Sequence, residues 1–107
     1  MNEVTVGTIF QSRWGYDQTN IGYYEVVAMT PSGKSARLRK LSQEVVDKDE
    51  LHTWEMVVPG NAYTSLVFTK KLSQDDTHGA SFKVAYSEYA WVWDGKPKHQ
   101  TGPLSGH

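Results

Sequence analysis

Ala36-Arg37-Leu38-Arg39 sets two apolar side chains on one side of an extended backbone and two guanidinium groups on the other. A period of two marks a strand with one dry face and one wet face, because successive side chains of a strand point in opposite directions. The same period recurs on both sides of this stretch. Tyr24, Val26 and Ala28 alternate with Tyr23, Glu25 and Val27. Trp54, Met56 and Val58 alternate with Thr53, Glu55 and Val57, and Phe82, Val84 and Tyr86 with Ser81, Lys83 and Ala85. Tyr89, Trp91 and Trp93 alternate with Glu88, Ala90 and Val92. Core placement is expected for Trp91, while Trp93, beside a turn, is the better surface candidate. Val6-Gly7-Thr8-Ile9-Phe10 reads as the opening strand and Leu66-Val67-Phe68 as a further short one.

Turn chemistry falls between these runs. Thr30-Pro31-Ser32-Gly33 has Pro and Gly where a hairpin connection wants them, and Asp94-Gly95 is a strong turn dipeptide. Pro59-Gly60-Asn61 is expected to close a strand, and Asp75 to Gly79 reads as a polar loop tip. Ser42 to Leu51 has two readings. Ser42 and Glu44 suit the start of a short helix, whereas Val45-Val46 and the charged Asp47-Lys48-Asp49-Glu50 suit a strand end and a solvated loop. The sum is an all-β domain: a small SH3-like barrel or sandwich of about six to seven short antiparallel strands, with at most one short helix. A long polar loop is expected over Gln11 to Asn20. The domain is read as residues 1–94, with 95–107 an extended tail rich in Pro and Gly.

Composition bounds the function. The chain has 107 residues, with 11 Lys plus Arg against 12 Asp plus Glu and a net charge of -1. That length suits one domain with a self-supporting core. The balance argues against a strongly basic nucleic-acid wrapper and against an acidic mimic of DNA. With no Cys, disulfides and thiolate metal sites are excluded. No apolar run approaches a membrane span and Met1-Asn2-Glu3 does not open a signal peptide, so a cytoplasmic protein without membrane contact is expected.

Trp14-Gly15-Tyr16-Asp17-Gln18-Thr19-Asn20 is the densest cluster of recognition-type residues. Two readings compete. The rings fold back over the end of the barrel while Asp17, Thr19 and Asn20 satisfy the loop's own backbone. Or Trp14 and Tyr16 form a contact platform, with Asp17, Gln18, Thr19 and Asn20 supplying hydrogen bonds to a partner and Trp93 and Asp94 extending the site. At this segment the chain resembles a family of small proteins carried by bacteriophages, plasmids and other mobile elements. The resemblance rests on Val6 to Phe10, on Trp14 to Asn20, on Tyr24-Glu25-Val26-Val27, and on the aromatic-Trp-Asp-Gly-Lys-Pro segment from Tyr89 to Pro97. Thr8 stands where the family pattern often has Asp. The resemblance implies a mobile-element origin and brings with it no activity, catalytic residue or cofactor.

Other constellations are weaker. Arg37, Arg39, Lys70 and Lys71, interleaved with the aromatics, read either as a groove for single-stranded nucleic acid or as a solvated sheet face. Glu44, Asp47, Asp49 and Glu50 against Lys48 read as a contact for a basic protein surface or as a solvated loop. The histidines, His52, His78, His99 and His107, show no metal-ligand spacing. No nucleophile or phosphate-loop motif is present; Asp17 and Asp94 are the one carboxylate pair an enzyme would draw on, and each also reads as a turn former. The expectation is therefore a non-enzymatic accessory protein without a cofactor. It binds a host macromolecule, a host protein first and nucleic acid second, and inhibition of a bacterial defence system, as by an anti-CRISPR, is its concrete form.

Overall fold

A computed structural model describes residues 4–14, 19–51, 53–75, 79–85 and 88–101. The described residues are all-β, without a helix, and so without any helix long and apolar enough to cross a membrane. They form nine antiparallel strands in a single curled, barrel-like sheet. In chain order these are β1 (Ile9–Trp14), β2 (Asn20–Met29), β3 (Ser35–Lys48), β4 (Trp54–Tyr63), β5 (Phe68–Lys71), β6 (Ser73–Asp75), β7 (Gly79–Ala85), β8 (Glu88–Val92) and β9 (Lys98–Thr101). The strand order is β6-β7-β8-β1-β2-β3-β4-β9, with β5 pairing a second edge of β3.

The sheet buries residues on both faces. On the first face Phe10, Tyr24, Val26, Ala36, Leu38, Ala80, Phe82 and Ala90 form one core. Its rings meet edge to face, Phe10 with Phe82 at 5.0 Å and Tyr24 with Phe82 at 5.6 Å between centroids. That geometry sets the positive ring edge against the negative ring face. On the second face Ile21, Tyr23, Leu41 and Val57 form another core, with Ile9 and Trp93 packed against it. The central strand β2 is the shared wall, which is why Ile21, Gly22, Tyr23 and Tyr24 are buried in succession. A strand covered on both sides has no wet face, so its alternation vanishes.

Several local expectations shift, each for a packing reason. β1 runs from Ile9 to Trp14 instead of from Val6 to Phe10, because Gln11 to Trp14 pair with Asn20 to Tyr23; of the long loop read over Gln11 to Asn20, Gln11 to Trp14 and Asn20 are therefore ladder, while residues 15–18 lie outside the described residues. Gly7, at φ 97°, turns the chain into β1 in a left-handed conformation open to glycine. The Ser42 to Leu51 stretch is strand as far as Lys48, since Val45 and its neighbours find partners in β4. Pro59-Gly60-Asn61 lies inside β4 instead of closing it. On β8 it is Ala90 that enters the core, while Tyr89 faces solvent and Trp91 is half-buried. Ala90 pairs directly with Phe82, and both lie in the first core. Residues 98–101 of the stretch read as a tail are extended, and they are tied into the sheet by pairing with Trp54 to Val57. The hairpin turn at Thr30 to Gly33 stands as its residues indicate, with Gly33 at φ 73° and its N–H donating to Thr30 O at 2.9 Å.

Candidate functional site

The ladder between β2 and β3 ends at the Tyr23–Leu41 pair, and beyond it the two strands part. β3 turns there toward β4 through a bulge between Leu41 and Gln43. β4 can follow closely because position 60 is glycine; a Cβ there would overlap the Ser42 hydroxyl. The parting leaves a cleft of about 340 Å³.

Two side-chain amides fill the place of the missing ladder bonds. Gln100 Oε1 accepts from the Ile21 N–H at 3.3 Å and from Gln43 Nε2 at 2.9 Å. Gln43 Nε2 also donates to Ile21 O, and its Oε1 accepts from Gln100 Nε2 at 3.1 Å. Gln100 Nε2 donates further to the buried carboxylate of Glu55 at 2.7 Å. These amides form the floor. Trp14, Asn20 and Gly22 line one wall; Lys40, Ser42 and Thr64 line the other. Among the described residues Lys40 is the one charged side chain lining the cleft, and Trp14 is 46% exposed at its rim. The surface thus offers a π-face, a cation, amides and hydroxyls, a mixture suited to holding a polar partner by directional bonds beside one large apolar contact.

The residues expected to bind from sequence divide. Trp14 and Asn20 pair across β1 and β2 and both line the cleft. Thr19 is fastened to β9, its N–H donating to Thr101 Oγ1 at 2.9 Å and its carbonyl accepting from Thr101 N at 2.9 Å. Tyr16, Asp17 and Gln18 lie outside the described residues. Trp93 and Asp94 are not brought to Trp14. Trp93 N–H bonds Ile9 O at the far end of β1, and its ring packs on the second face against Tyr23 at 5.8 Å. Asp94 holds a turn, accepting from Lys96 N at 3.0 Å and from Lys98 Nζ at 2.8 Å. The bond from Lys98 keeps its carboxyl below the usual carboxylate range.

The basic residues do not form one patch. Arg37 and Arg39 project from the second face of β3, whereas Lys70, paired with Ala36, lies on the first and donates to Val84 O at 3.2 Å. Arg39 is engaged as well. Its Nε donates to Ser65 O at 3.0 Å and its guanidinium lies 4.2 Å from the Tyr63 ring centre, while Tyr63 OH donates to Glu25 Oε1 at 2.5 Å. Arg37 and Lys71 are left exposed on the second face. Of the histidines, His99 stacks on Trp54 at 5.7 Å. Sequence reading missed Ser42, Gln43, Thr64 and Gln100 as site residues. Nothing local marks them, since they meet only where two strands diverge.

Fold and cleft together define a small all-β protein with two cores in one sheet and a polar cleft rimmed by an exposed tryptophan. No protein family, curated protein or solved structure matches the chain.

Proposed function

We propose that this is a non-enzymatic binding protein that grips a partner macromolecule at the β1–β2 end, with Trp14 as the anchoring ring and Asn20, Lys40 and Thr64 as directional contacts. The observation that carries the reading is the half-exposed Trp14 ring at the rim of a polar cleft. A tryptophan held by a strand contributes large contact area at little entropic cost, which is why such residues dominate interface energetics. Asp94, bound into its turn and to Lys98, offers no support for the carboxylate-pair enzyme. The engagement of Arg39 and the opposite facing of Lys70 give little support to the nucleic-acid groove.

The resemblance of the Trp14 to Asn20 segment to mobile-element proteins makes a host protein the partner of choice, and blocking a defence complex sterically the specific form. The test is capture from bacterial lysate with the wild-type chain and with Trp14→Ala. The expected result is a host protein retained by the wild type and weakened by about 2 kcal/mol or more in the variant. Equal retention by both, or no retained protein, overturns the proposal. For the defence role, expression in a host with active immunity should restore plating of a targeted phage, and Trp14→Ala should lose that effect.

A further inference from the structure

β3 changes partners along its length. From Ser35 to Leu41 it lies in the ladder with β2, and β5 occupies the other edge over Ser35 to Leu38. From Gln43 to Lys48 it pairs with β4 alone, and among the described residues no strand lies along the edge that β2 has left. The Lys48 N–H accordingly turns to its own Asp47 Oδ1 at 2.9 Å instead of to a neighbouring strand. A strand edge with open backbone groups is a template for one more strand.

The side chains at this edge are apolar in the middle and acidic around it. Val45 and Val46 are 45% and 49% exposed. Val46 is the extra residue of a bulge between Val45 and Asp47 and has no partner in β4, so the two valines form one apolar stretch in the middle of the edge. Glu44, Asp47, Asp49 and Glu50 against Lys48 make the segment net negative, and Glu44 and Asp47 are exposed beside the valines. A second copy of the chain would bring the same negative segment against itself. A segment carrying lysine or arginine would meet opposite charge, and cross-strand pairs of opposite charge are favourable where like charges are not.

We propose that the free edge of β3 over Glu44 to Lys48 is a docking edge for an extended, basic segment of a partner protein, which adds to the sheet as a further strand. Main-chain hydrogen bonds supply the affinity, Val45 and Val46 the apolar contact, and Glu44 and Asp47 the preference for cationic side chains. The edge is distinct from the Trp14 cleft.

The test uses the full chain, labelled with ¹⁵N, and a synthetic peptide of alternating Lys and Val. The expected result is amide shift changes and slowed hydrogen exchange confined to residues 43–48. Binding should weaken about tenfold or more in the Glu44→Lys, Asp47→Lys double variant and with rising salt. A peptide with alternate amides N-methylated should bind about tenfold weaker or worse, since it cannot complete the ladder. Unchanged shifts away from the edge establish that the variant is folded. Changes spread over other strands, equal binding of the N-methylated peptide, or self-association of the chain in place of peptide binding each overturn the proposal. Because the readout lies at residues 43–48, it leaves the Trp14 reading to stand or fall on its own test.

Discussion

Tyr23 and Tyr24 are neighbours in the chain and belong to different cores. Tyr24 joins Phe10 and Phe82 on the first face, while Tyr23 is fully buried on the second, where its hydroxyl donates to Val57 O at 2.8 Å. Burial first, and the nearby Asp94 charge second, push the Tyr23 phenol up to about 12. The neutral phenol is thus the form the folded protein accepts, whereas an unfolded tyrosine ionises near ~10. The contribution of this group to stability is complete below the unfolded value and is lost as pH rises from about 10 through about 12. Urea unfolding midpoints should hold steady through neutral pH and then fall across that window. Tyr23→Phe should reduce the alkaline fall and, by losing one hydrogen bond, lower stability at neutral pH by about 1 kcal/mol. An unchanged alkaline slope in the variant would assign the fall to other groups, such as Tyr24, which burial also raises.

Among elements, β9 is the least conspicuous in sequence and among the most consequential in place. Lys98-His99-Gln100-Thr101 has no apolar residue to mark a strand, and its pairing with β4 depends on partners more than forty positions earlier. Its register carries Gln100 beneath β2, where one amide serves Ile21, Gln43 and Glu55 at once. Gln100→Ala should therefore cost about 2–3 kcal/mol, more than a surface glutamine, because a bond to a charged group and two others in a buried network go together. The same variant should loosen the cleft floor, seen as faster exchange of the Ile21 amide. A loss below about 0.5 kcal/mol, the range of an ordinary surface change, would deny the network its structural role. β3 poses the reverse case. Its Ser42 to Lys48 half carries caps and acids that suit a helix, yet the β-branched Val45 and Val46 and the ladder with β4 decide for strand.

At the scale of the whole molecule, two cores hang on one wall. β2 and β3 contribute to both, so neither core can open without exposing residues whose backbones hold the other. The two are expected to unfold together. Leu38→Ala in the first core should cost about 2–5 kcal/mol, and Val57→Ala in the second about 1–3 kcal/mol. Each should shift one common transition, with Phe82 and Val57 amides exchanging at matching free energies. Separate transitions would show that the shared strands do not couple the cores.

The all-β class, the hairpin turn at Gly33 and the turn at Asp94-Gly95 were legible because they rest on neighbouring residues: period-two alternation, a glycine with positive φ, a proline before a turn. Trp14 and Asn20, singled out by residue type, both line the cleft. Which way β8 faces, the strand at Lys98 to Thr101, and the amides beneath the cleft were decided only when distant strands met. Alternation tells the two sides of a strand apart but does not say which side is covered, and where both are covered, as along Ile21 to Tyr24, it disappears. The pairing with Phe82, eight residues from Ala90 along the chain and beside it in the first core, settled a choice that the residues around Ala90 left open.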